Sequence, residues 1–189
     1  MNWKPLTAAI VATLIGSTAE AADIEHKYLQ TPDGKSVPAI RITGKIVGED
    51  FLKFFDARVL YARSWGFVYL ESPGGSVLDA ISIGQQIAEA EWDTVVGENS
   101  TCASACGLIW LAGKRRFVAE NARIGFHAVY YTDSRQITSN GNAIVGAYLS
   151  KLGFGLKTIS YVTSMPPDQM DWLSSAKAKE YDIAVQVLK

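Results

Sequence analysis

Two residues far apart in this chain have the types needed for nucleophilic chemistry. Ser104 lies between small residues in Cys102-Ala103-Ser104-Ala105-Cys106, and His127 lies in the apolar run Ile124-Gly125-Phe126-His127-Ala128-Val129. A serine hydroxyl attacks a carbonyl only when a neighbouring base takes its proton, and histidine is the usual base. The only other histidine, His26, falls near the start of the folded part, where the chain is expected to be mobile. If a histidine serves as base, it is therefore His127. Each residue also has a plainer role open to it: Ser104 as a helix cap, His127 as a satisfied core residue. Pro73-Gly74-Gly75 suits a tight turn in which glycine permits positive φ and close backbone approach. Its N–H groups sit at a helix start, where they can face an anion. No Gly-Lys-Ser/Thr follows, so this is not a phosphate loop.

These residues need elements to position them, and the hydrophobic pattern supplies candidates. Strands are predicted over 39–46, 67–70, 95–96, 117–118, 124–131 and 185–188. Helices are predicted over 51–65 with Asp50 as cap, 77–90 with Ser76 as cap, 105–112, 143–152, 156–165 and 175–181. Strands alternating with helices imply an α/β fold with a largely parallel sheet. Such sheets carry their sites in loops at the carboxyl ends of strands. That singles out the loops 72–76 and 100–104.

Taken together, Glu71-Ser72-Pro73-Gly74-Gly75-Ser76, Ala103-Ser104, Leu111-Ala112-Gly113 and Asn121-Ala122-Arg123-Ile124-Gly125-Phe126-His127 resemble the proteolytic subunit of the Clp protease. The resemblance runs from Ile40 to Val187. It implies the fold of the Clp-protease and crotonase superfamily, with repeated β-β-α units and a mainly parallel sheet flanked by helices. It also implies a serine peptidase acting on peptides or unfolded protein segments, with Ser104 as nucleophile and His127 as general base. The N–H groups of Gly75 and Ala105 would form the oxyanion hole. The family places an aspartate two residues before a Phe-Leu-Ser-Ala stretch. The matching stretch here is Trp172-Leu173-Ser174-Ser175, and the matching position holds Met170, flanked by Asp168 and Asp171. Asp168, set on a turn by Pro166-Pro167, is the preferred third member, with Asp171 or a backbone carbonyl as the other routes to orienting the histidine.

Length and composition frame this reading. The chain has 189 residues, 48% of them apolar, enough for a single domain with a real core. Lys and Arg number 18 against 19 Asp and Glu, a net of −1, which argues against nucleic acid or a polybasic membrane contact as partner. Lys114-Arg115-Arg116, the densest basic run, reads as a solvated turn. The first residues look like a signal peptide: Lys4, an apolar stretch Leu6–Ile15, then Ala19-Glu20-Ala21. A signal peptide over 1–21 and a single domain over 22–189 are expected, with a periplasmic or secreted location.

In an oxidising compartment the pair Cys102 and Cys106 suits a disulfide that brackets Ser104, two buried thiols being the alternative. Two cysteines are too few for a metal site, and no metal or other cofactor is expected. Export removes any cytoplasmic ATPase partner. The segment between His127 and Asp168 is also shorter than the family's ring-joining handle. The expectation is an ATP-independent enzyme without the closed two-ring barrel, assembled at most as a smaller homo-oligomer or a single ring. The competing reading is a catalytically inactive binding or scaffold protein on the same fold.

Overall fold

The computed structural model describes residues 21–30, 33–61 and 64–188. The expected signal peptide, apart from Ala21, lies outside the described residues. No described helix is long and apolar enough to cross a membrane.

The architecture is α/β, with two sheets and six helices among the described residues. The larger sheet runs in the order β1 (Asp23–Gln30), β2 (Ser36–Thr43), β3 (Phe67–Glu71), β4 (Asp93–Val96), β6 (Arg116–Ala119) and β9 (Gln186–Leu188). Strand β1 is antiparallel to β2, and every other neighbouring pair in this sheet is parallel. The smaller sheet holds β5 (Thr101–Ala103), β7 (Arg123–Phe126) and β8 (Asp171–Trp172). The helices are α1 (Asp50–Val59), α2 (Val77–Glu89), α3 (Ala105–Leu111), α4 (Ser139–Lys151), α5 (Leu156–Ser164) and α6 (Ser175–Glu180).

Strands β2, β3 and β4 bury Ile40, Ile42, Val68, Leu70 and Val96 against Ala80, Ile83 and Ile87 of α2 and all seven residues of α3. Continuous burial of this kind is what a parallel sheet requires, since helices cover it. Helix α2 begins where its sequence says it should. The Ser76 hydroxyl accepts a hydrogen bond from the Asp79 N–H at 3.3 Å and donates one to the Asp79 carboxylate.

Several expectations need correction. Residue His26 sits in β1, and its Nδ1 is 3.0 Å from the Tyr61 hydroxyl, so that end of the chain is sheet rather than a mobile lead-in. Glu49, not Asp50, is the capping position of α1. The buried Asp50 carboxylate instead accepts from the Val47 and Ala22 N–H groups and pairs with Lys53. The basic run is not simply solvated. Arg115 forms an ion pair with the fully buried Asp93, which also accepts from the Trp65 indole N–H. Arg116 donates to the Gly113 and Ala184 carbonyls.

Candidate active site

The site is built where the two sheets meet. Ser72 directly follows β3 and is bridged to Cys102 of β5: its N–H donates to the Thr101 carbonyl at 2.8 Å, and its carbonyl accepts from the Ala103 N–H at 3.0 Å. The turn Pro73-Gly74-Gly75 that follows is therefore held against the strand leading to Ser104. Ile46, beyond β2, clamps its other side. The Ile46 N–H donates to the Gly74 carbonyl at 2.9 Å, and the Ile46 carbonyl accepts from the Ser76 N–H at 2.8 Å. Both glycines have positive φ, +96° and +140°. A Cβ on Gly74 would lie 2.8 Å from the Ser104 Cβ, and one on Gly75 would lie 1.9 Å from the Ile46 carbonyl oxygen. Only glycine fits either place.

Ser104 stands alone between β5 and α3, with φ 56° and ψ −122°. These angles belong to the first central position of a type II′ turn, which glycine normally occupies. A serine held there is strained by about 1–3 kcal/mol, a cost that persists where the surroundings fix the backbone and that clusters at functional sites. The surroundings here do fix it. The Ser104 N–H donates to the Gly125 carbonyl at 2.8 Å, and the Ser104 carbonyl accepts from the Gly107 N–H at 2.9 Å. The hydroxyl makes no capping bond. Its plainer role as a helix cap is thus not taken, and the residue lines a cavity.

Cys102 and Cys106 form a disulfide across this turn, with Cα atoms 5.1 Å apart, inside the range expected from the spacing. Both residues are fully buried. The bond ties the end of β5 to the first turn of α3 and leaves Ser104 no room to relax. On loop-entropy grounds so short a loop is worth about 2 kcal/mol. The double variant Cys102→Ala/Cys106→Ala is therefore expected to lose about that much in a urea melt.

The cavity in front of Ser104 has a volume of about 450 Å³ and is lined by Gly75, Ala105 and His127 among others. Apolar walls come from Leu108, Phe126, Val145 and Val162, and Lys45 is the one full-time charge among the lining residues. The N–H groups of Gly75 and Ala105 have no hydrogen-bond partner among the described residues. Unpaired donors at the wall of a cavity are what a developing oxyanion requires.

His127 follows β7 directly. Its Nδ1 lies 2.8 Å from the Ala128 carbonyl oxygen, so Nδ1 carries the proton and donates it there. In the neutral imidazole Nε2 then keeps its lone pair, the form a general base needs. No hydrogen bond joins His127 to the Ser104 hydroxyl among the described residues. Neither candidate aspartate is bonded to His127. Asp168 is exposed, and Asp171 accepts from the Tyr161 hydroxyl at 3.4 Å and pairs with Lys177. Burial first, and the Asp171 carboxylate second, push the Tyr161 hydroxyl well above its ordinary range, so it remains a donor to Asp171. The segment 165–168 reaches the histidine's strand by its main chain instead, with the Ala128 N–H donating to the Met165 carbonyl at 2.7 Å.

No family model matches this chain, and no curated protein matches it. A solved structure does: a serine-to-alanine mutant of the 1510-N membrane-bound stomatin-specific protease, at TM-score 0.57 and 20% identity, over 79% of this chain and 77% of that one. The fold is shared with a protease. In all, 667 chains of known structure match, so the likeness fixes the architecture and leaves the chemistry to be argued from the site.

Sequence reasoning missed three parts of the site. Strand β5 is three residues long and sits in a stretch read as a polar loop. Ile46 braces the glycine turn with backbone atoms alone. The His127 partner is a carbonyl, which every residue has.

Proposed function

We propose that this protein is an exported serine peptidase of the Clp-protease type, which hydrolyses peptide bonds in peptides or unfolded segments without ATP. The observation that carries this reading is Ser104. A non-glycine residue is held in a glycine conformation at a strand-to-helix junction, with an unbonded hydroxyl. It opens into the same cavity as a histidine and two unpaired N–H groups. Strand–strand–helix order recurs at β1-β2-α1, β4-β5-α3 and β6-β7-α4, which supports the superfamily assignment.

The reaction would run through an acyl-enzyme. The Ser104 hydroxyl oxygen attacks the peptide carbonyl carbon while Nε2 of His127 takes the hydroxyl proton. The N–H groups of Gly75 and Ala105 receive the oxyanion. His127 then protonates the leaving amine, and a water repeats the sequence to release the acid. The Ala128 carbonyl holds the imidazolium that forms, with neither Asp168 nor Asp171 recruited to it. No metal or other cofactor takes part in this scheme.

The test is to incubate the mature protein, without nucleotide, with a reduced and alkylated protein and to map new termini by mass spectrometry. New termini that are absent with Ser104→Ala support the peptidase. A folded protein that produces none would favour the scaffold reading.

A further inference from the structure

The segment after His127 forms a tight strap that returns toward the imidazole. Tyr130 pairs with Ile137 in an antiparallel bridge, the Tyr131 N–H donates to the Gln136 carbonyl at 2.9 Å, and the Arg135 N–H donates to the Tyr131 carbonyl at 2.8 Å. Arg135 turns the strap with φ 55°. Three side chains then lie in a row. The Tyr130 ring packs on the His127 ring with centroids 5.2 Å apart and planes at 43°. The Arg135 guanidinium carbon lies 5.2 Å from the Tyr130 ring centroid, and Nη2 donates to the Pro167 carbonyl at 2.7 Å.

A single hydrogen bond from Nδ1 fixes one atom of the imidazole and leaves the ring free to swing about it. A ring packed against it at a tilt restricts that freedom, and a guanidinium over the second ring holds it in turn. We infer that Tyr130 and Arg135 are positioning residues that hold His127 with Nε2 toward Ser104, anchored through the Pro167 carbonyl on the segment where sequence placed an aspartate. The inference rests on the peptidase reading of Ser104 and His127, and it assigns the orienting work to an aromatic–cation row instead of a carboxylate.

The experiment reads two signals in the full mature protein. One is the second-order rate of Ser104 labelling by a fluorophosphonate. The other is the His127 tautomer, from two-bond ¹H–¹⁵N correlations on ¹⁵N-histidine protein. With only two histidines in the sequence, His26→Gln assigns the spectrum. Tyr130→Ala is expected to slow labelling about 10- to 100-fold and to mix the two neutral tautomers. Arg135→Ala should slow labelling about threefold. Tyr130→Phe, which keeps the ring, should restore both signals and controls for folding. An unchanged tautomer in Tyr130→Ala would overturn the inference whether or not the rate falls, since a rate loss alone would mark Tyr130 as a substrate contact. If the wild-type protein takes no label, the peptidase reading fails by itself, and the spectra still decide the positioning of His127.

Discussion

Ser104→Gly is expected to make the protein more stable and inert. Serine at φ 56° carries a strain of about 1–3 kcal/mol that glycine does not. Glycine also gives the unfolded chain more freedom, which offsets about 0.4–1 kcal/mol of the gain. The balance is a stabilisation of about 1 kcal/mol, readable as a higher urea midpoint with an unchanged slope. Activity should fall by about 10⁴- to 10⁶-fold, the usual loss when a serine nucleophile is removed. Ser104→Ala keeps a Cβ and hence the strain. It should be equally inactive without the gain in stability. A residue retained against its own conformational preference, and needed for activity, is the pattern of stability given up for function.

Gly75→Ala is expected to fail in the opposite manner. A Cβ there would lie 1.9 Å from the Ile46 carbonyl oxygen, on a backbone at φ +140°, and the obstacle is main chain that cannot rotate away. The turn must shift as a whole, at a cost of about 1–3 kcal/mol. Its displacement also turns the Gly75 N–H away from the cavity, and loss of one oxyanion donor costs about 10²- to 10³-fold in kcat. The variant should therefore be less stable and much slower. Because the nucleophile and base remain, it should still accept a fluorophosphonate slowly. Full activity in folded Gly75→Ala protein would remove Gly75 from the oxyanion hole.

How much of this was legible in the sequence depended on what each residue needed from afar. Helix α2 was readable with its cap because Ser76, Asp79 and the apolar stripe behind them form one local signal. The apolar pattern predicts β4 only over 95–96, too short, because Asp93 and Thr94 look like loop residues. They are buried with satisfied partners, Asp93 on Arg115 and the Thr94 hydroxyl on the Trp110 carbonyl. Strand β7 was read too long. It ends at Phe126 because the Ala128 and Val129 N–H groups turn to Met165 and to the Asn142 side chain. Helix α4 starts at Ser139, four residues before the apolar pattern begins, because the Thr138 hydroxyl caps the Gly141 N–H.

The site divides along the same line. The resemblance to the Clp-protease proteolytic subunit points to Ser104, Gly75, Ala105 and His127, and these four residues line one cavity. The means of orienting His127 was not legible. A carbonyl, a tilted ring and a guanidinium eight residues further along the same loop leave no motif, whereas an aspartate is a type that can be looked for.

The most direct test of the central claim is to label the mature protein with a fluorophosphonate probe and map the adduct, with His127→Ala beside it. The account predicts one stoichiometric adduct, on Ser104, lost or slowed at least about 10²-fold when His127 is replaced. A folded protein that takes no label, or one labelled at the same rate without His127, would contradict it.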